Sequence, residues 1–90
     1  MYSVFTTGKF DKDLKRAKKR NKDLSKIREI MECLAAAKPL PARHRDHVLI
    51  GNYAGRRECH IEPDWLLIYK VDDEEKEIIF ERTGSHSDLF

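Results

Sequence analysis

The sequence has no apolar run long enough to span a membrane: its longest uncharged apolar stretches, residues 33–37 and 65–69, fall far short of the roughly 20 residues required. The start, Met1-Tyr2-Ser3-Val4-Phe5, lacks a basic segment followed by an apolar one, so no secretory signal is expected. Only two cysteines occur, Cys33 and Cys59, without CxxC spacing. That excludes a disulfide scaffold and points to reduced thiols, buried as small hydrophobes, in a cytoplasmic chain. The four glycines, Gly8, Gly51, Gly55 and Gly84, stand apart, so there is no glycine-rich phosphate loop. HxH, HExxH and paired-cysteine spacings are missing, so neither a metal nor another cofactor is expected. Ser85 and Ser87 lack a nucleophile-elbow context and read as turn formers.

What is present is charge. Of 90 residues, 38% are Asp, Glu, Lys or Arg, and the net charge of +2 hides an uneven distribution. Residues 9–28 carry ten Lys or Arg against three Asp, and the remainder is net acidic. Such asymmetry fits a face made for a polyanion or an acidic partner. A chain this short has one core, so residues 1–90 form a single domain.

Residues 2–7 have the aromatic, β-branched composition of a strand. Thr6 or Thr7 then caps a helix with Phe10, Leu14 and Ala17 on its apolar stripe. Asn21 interrupts, Asp23 caps a second helix carrying Leu24, Ile27, Ile30, Met31 and Leu34, and Pro39 and Pro41 end it. Beyond residue 47 the period shortens. Strands are expected at 48–51, 56–61, 65–71 and 78–82, with turns at 51–55, 63–64 and 72–77 and a break at Gly84. The order β-αα-ββββ predicts an α+β fold: a curved, mostly antiparallel sheet with an αα-hairpin on one face.

All four histidines, His44, His47, His60 and His86, lie in this second half near expected turns or strand ends. Histidine exchanges protons near neutral pH, and residues at loop mouths around a sheet are where sites are grafted. His44, between Arg43 and Arg45 in a polar loop, reads as solvated.

Three segments carry a resemblance: Asp46-His47-Val48-Leu49-Ile50-Gly51, residues 57–70 with His60-Ile61-Glu62-Pro63-Asp64-Trp65 at their centre, and Arg82-Thr83-Gly84-Ser85-His86 with Leu89-Phe90. Together they closely resemble the YafQ branch of the RelE/ParE toxin superfamily. The similarity is densest over 46–90; the helical half agrees in size and basic character. The resemblance implies the toxin of a bacterial type II toxin–antitoxin system, an endoribonuclease that cuts messenger RNA on the translating ribosome without a metal. Family functional positions are matched by His47, His60, Asp64, Trp65, His86 and Phe90. In that reading His86 is the general acid, and Asp64 with His47 or His60 is the base or holds the base in its tautomer. Arg82 or Arg57 contacts the scissile phosphate, and Phe90 or Trp65 stacks on a base. The implied partners are the ribosome with its mRNA, and an antitoxin of the DinJ kind with a ribbon-helix-helix end, operator DNA being bound only as the complex. Gyrase, the target on the ParE side, is not expected, because this histidine set is absent there. A non-catalytic basic RNA- or DNA-binding module is the alternative. Two departures stand out: residues 72–77 make an unusually acidic hairpin tip, and His44 matches no family role.

Overall fold

The computed structural model describes residues 1–90. β1 (Ser3–Thr6) leads into α1 (Gly8–Lys19), where the Thr7 hydroxyl accepts the Phe10 N–H at 3.0 Å and so satisfies an amide of the first helical turn. Asn21, at φ 60°, makes the reversal, and Asp23 caps α2 (Leu24–Ala35) by accepting from the Ser25 N–H. The end of α2 differs from expectation. It stops before either proline, with Ala37 in the left-handed region at φ 58°. Two short 3₁₀ turns, Ala42–His44 and Gly51–Tyr53, flank β2 (His47–Val48). β3 (Arg57–Glu62), β4 (Trp65–Asp72) and β5 (Glu77–Gly84) form the antiparallel meander, and Gly84 closes the last strand instead of breaking it earlier. A final turn of helix, α3 (His86–Leu89), occupies what reads in the sequence as a polar tail.

The sheet order is β1-β5-β4-β3-β2, antiparallel throughout except for β1, which lies parallel to β5. This is the α+β architecture expected from the sequence. Side chains alternate between the two faces. Trp65, Leu67 and Tyr69 of β4 join Cys59, Ile61, Ile78 and Phe80 beneath Phe10, Ala17, Ile27, Ile30 and Leu34 of the helices. Leu66 and Ile68 point the other way and are covered only by Leu89, Leu49 and Tyr53. One face is thus packed under two helices, and the other, bare of them, carries the candidate site.

β1 pairs with β5 only as far as Phe80, which leaves the rest of the β5 edge without a strand. An unpaired buried amide costs about as much as a lost hydrogen bond, so that edge needs other partners. Thr7 supplies one: its hydroxyl donates to the Glu81 carbonyl at 2.8 Å. Asp13 supplies the other. Its carboxylate, 5% exposed, accepts the Thr83 N–H at 3.1 Å, Arg82 Nε at 2.7 Å, Arg82 Nη2 at 3.3 Å and Arg16 Nη2 at 2.9 Å. The Thr83 hydroxyl in turn donates to the Leu66 carbonyl and accepts the Trp65 indole N–H. Replacing Asp13 by Ala strands Arg82 and a strand amide together, and breaking a buried pair in this way costs about 3 kcal/mol or more. Urea unfolding of Asp13→Ala is expected to show that loss. Asp13→Asn, which keeps an acceptor for Thr83, should lose less.

Candidate active site

Alternation along β3 puts Glu58 and His60 on the bare face. β2 pairs with β3 so that His47 stands opposite Glu58. The Pro63–Asp64 turn and the start of α3 bring Asp64 against His86. His60 lies between the other two imidazoles, with ring centroids 6.4 Å from His47 and 5.7 Å from His86.

The hydrogen-bond partners assign the ring nitrogens. His47 Nδ1 lies 2.7 Å from the Arg45 carbonyl oxygen, which only accepts, so Nδ1 carries the proton and Nε2 turns toward Glu58 at 3.6 Å. His60 Nε2 lies 3.3 Å from the same Glu58 oxygen. His86 Nδ1 lies 2.6 Å from Asp64 Oδ1, which also accepts the His86 backbone N–H at 2.9 Å. The backbone hydrogen bond first, and the imidazole second, hold the Asp64 carboxyl below the usual carboxylate range. His86 Nε2 is left as the nitrogen for proton transfer.

Asp64 therefore partners His86, and the carboxylate facing His47 and His60 is Glu58, a residue without an assigned role in the sequence reading. Glu58 is 5% exposed. Its signal was the i, i+2 spacing to His60 on a strand, which puts both on one face.

Two further expectations are corrected. Trp65 is 1% exposed, packs into the helix-side core and donates its indole N–H to Thr83, so it has no face open to a base. Arg57 alternates with Glu58 and His60, so it leaves the sheet on the packed side, where Asp46 accepts its Nε at 3.2 Å and also the Tyr69 hydroxyl. Arg82 lies opposite Ile68 and is partly committed to Asp13. Phe90 is 64% exposed and stands edge-on to Tyr53 at 5.4 Å, which makes it the available aromatic platform. No three His, Cys, Asp or Glu side chains converge closely enough to hold a metal ion.

α3 positions His86 and Phe90, and a capping box builds it: Ser85 Oγ accepts the Asp88 N–H at 3.2 Å while Asp88 Oδ2 accepts the Ser85 N–H at 2.9 Å. Arg20 of the preceding α1 segment grips Asp88 at 2.7 Å. A Cβ at Gly84 would meet the Asp88 side chain at 2.9 Å, so any other residue here would push the capping carboxylate aside.

Histidines and carboxylates gathered on the helix-free face of a helix-backed sheet define the class: a small α+β domain with an open candidate site whose side chains suit proton transfer. Over residues 2–90 the chain matches the family described as bacterial toxin of type II toxin–antitoxin system, YafQ, and it belongs to that family. It is 48% identical to the mRNA interferase toxin YafQ of Escherichia coli K12 over 85 residues, covering 93% of this chain and 90% of that protein. It is 39% identical to a putative toxin YafQ of Haemophilus influenzae over 83 residues, covering 87% and 81%. Among solved structures, YafQ in the E. coli DinJ–YafQ complex superposes with a TM-score of 0.91 at 45% identity, covering 100% of this chain and 99% of that one. A metal-bound toxin from Helicobacter pylori superposes at 0.94 and 41% identity, with both chains fully covered.

The Arg20 guanidinium first, and the Ser85 amide second, hold the Asp88 carboxyl far below its usual range. A carboxyl depressed by folding contributes stability that is fully present above the ordinary carboxyl value and lost as pH falls through the folded one. The Leu89 and Phe90 amides, bonded to the Ser85 and His86 carbonyls, should therefore keep their exchange protection down to about pH 4 and lose it below. Asp88→Asn should lose it already at neutral pH, as hydrogen exchange followed by NMR would read.

Proposed function

We propose that this chain is a toxin endoribonuclease that cleaves messenger RNA by general acid–base chemistry. The observation that carries this reading is the row His47, His60 and His86 on the bare sheet face, backed by Glu58 and Asp64. The name mRNA interferase borne by the E. coli relative supports it. In such a cleavage a base takes the 2′-hydroxyl proton, the 2′-oxygen attacks phosphorus, and the bond to the 5′-oxygen breaks. An acid then protonates the departing oxygen, leaving a 2′,3′-cyclic phosphate and a 5′-hydroxyl.

His86 is the acid in this scheme. Asp64 fixes its Nδ1–H, and α3 fixes its backbone, so Nε2 is the donor. His60 or His47, oriented by Glu58, is the base on the other side of the row. Arg82 offers the guanidinium edge not used by Asp13 to the charge that builds on phosphorus, and Phe90 stacks on a neighbouring base. The message is presented by the ribosome, which supplies positioning that a shallow open site lacks. A small antitoxin neutralises the toxin, as DinJ–YafQ complexes of E. coli suggest, with operator DNA bound by the complex. No helix is long and apolar enough to cross a membrane.

Mapping 5′ ends of messenger RNA after induction should show cuts at fixed positions within reading frames. His86→Ala should lower that cleavage about 10²- to 10⁴-fold. On purified translating ribosomes, EDTA balanced by magnesium should leave cleavage intact. Unchanged transcripts with retained RNA binding would instead favour a non-catalytic binding module, and activity lost to chelation and restored by zinc would favour metal hydrolysis.

Ribosome docking is assigned to the outer face of α1. Arg16, Arg20, Lys22 and Lys26 already pair with Asp13, Asp88 and Glu62, and Lys22 also sits over the Trp65 ring at 5.6 Å. Lys12, Lys15 and Lys19 are exposed on the opposite side and have no acidic partner, so they are free to meet phosphate. Reversing these three to Glu should weaken sedimentation with ribosomes and flatten its salt dependence, whereas His86→Ala should leave both nearly unchanged.

A further inference from the structure

The loop before β2 is the one part of the site's rim that the proposed chemistry leaves unused. It contains Arg43, His44 and Arg45, and with His60, Ile61, Glu62 and Pro63 it lines a cleft of about 390 Å³ that opens beside His60. Five of the eight arginines in the chain, Arg16, Arg20, Arg56, Arg57 and Arg82, are paired with carboxylates. Arg28, Arg43 and Arg45 are the exposed exceptions, and two of them sit on this rim. The carboxylate in the cleft, Glu62, is already neutralised by Lys22 at 3.0 Å and Lys26 at 2.8 Å, so it does not cancel the two arginines.

The loop is also held in place. His44 Nδ1 donates to the His60 carbonyl at 2.7 Å, which ties the loop to the strand that carries the central histidine. The Arg45 N–H donates to the Ala42 carbonyl at 3.1 Å, and its own carbonyl accepts from His47 Nδ1 at 2.7 Å. Arg45 itself takes the left-handed conformation at φ 47°, which costs a non-glycine residue about 1 kcal/mol or more. A fixed, strained turn with two unneutralised guanidiniums beside a proton-transfer site suits an oligoanion that runs past the histidines.

We infer that Arg43 and Arg45 form a phosphate subsite for the RNA strand, gripping a phosphodiester adjacent to the one at His60 and His86, while His44 acts as the positioning residue that fixes the loop. This deepens the nuclease reading and rests on it. Guanidinium suits the task because its planar fork meets two phosphate oxygens at once.

The test uses the full chain and a short single-stranded oligoribonucleotide, 2′-O-methylated so that it is not cut, with binding read by fluorescence anisotropy over a range of salt. Arg43→Gln with Arg45→Gln should weaken binding about tenfold and make the log–log salt slope shallower by about 0.7, the value for one lost phosphate contact on a single strand. Arg28→Gln should change neither, and Arg43→Lys with Arg45→Lys should recover most of the affinity. On translating ribosomes the double Gln variant should raise the half-saturating toxin concentration and leave the maximal cleavage rate unchanged. Equal affinity and equal slope for the double variant and the wild type would overturn the subsite. A defect seen only with vacant ribosomes, and not with the free strand, would also overturn it, because the arginines would then hold ribosomal RNA. If the wild type neither binds the strand nor cuts ribosome-bound message, the nuclease reading falls as well. Cutting by both proteins with the same half-saturating concentration removes the subsite alone.

Discussion

The Asp13 carboxylate is the constraint on which the site depends. β5 runs out of strand partner at Phe80, yet it must continue to Gly84 to place His86. A helix offers no row of backbone acceptors to a neighbouring strand, so α1 covers that edge with a side chain. Asp13 accepts the Thr83 amide directly and holds Arg82 by two contacts. About two turns further along, Arg20 makes the reverse pairing, its guanidinium donating to Asp88. The same helical segment thereby fixes both the end of β5 and the turn that carries His86 and Phe90. The cost of burying a carboxylate is offset here because every neighbour is a donor, and no buried side-chain nitrogen or oxygen in the molecule lacks a partner.

Much of this was legible in the sequence. Alternation and turn residues located the meander, and the loop-mouth histidines together with the motif pattern singled out His47, His60, Asp64 and His86, which the fold brings close together. What the sequence hid were choices of face and partner. Asp13 lies three residues after Phe10 and four before Ala17, inside the buried stripe, but a charge there reads as an interruption until β5 arrives from far along the chain. Trp65 looked available because it adjoins an exposed turn. Alternation with Leu66 and Leu67 sends it inward instead. Arg57 went astray for the same reason, since a shift of one position along a strand changes the face. The α3 turn did leave a local trace, the Ser85-x-x-Asp88 capping box, in a stretch too short to show periodicity.

The packed and bare faces also divide the chemistry of Cys59 and Tyr69 from that of the histidines. Burial pushes the Cys59 thiol up to about 12, and burial with Asp46 raises the Tyr69 hydroxyl further, so neither ionises near neutral pH. The histidines lie on the other face, where Leu66, Ile68 and Leu89 form a small apolar floor. An enclosed pocket would exclude water, but it would also exclude a polymer already held by a larger machine. The open floor fits a reaction in which the substrate arrives positioned.

Charge is sorted on the same plan. The acidic turn between β4 and β5 carries Asp73, Glu74 and Glu75, and a chain of that sign near the histidines would repel a phosphate backbone. It lies at the opposite end of the hairpin from Asp64 and His86, because β4 runs its full eight residues between them. At about 3.3 Å per residue that is roughly 25 Å. Physiological salt screens exposed charges over about 8 Å, so about three such lengths separate the acidic tip from Asp64 and His86. The cations nearer the helix–sheet seam are spent on Asp13, Asp88 and Glu62, which makes them structural. Unpaired ones stand outside the seam, among them Lys12, Lys15 and Lys19 on the helix and Arg43 and Arg45 at the rim. The small net charge is thus the sum of three populations kept apart by the fold, and only the outer cations are free to act on a polyanion.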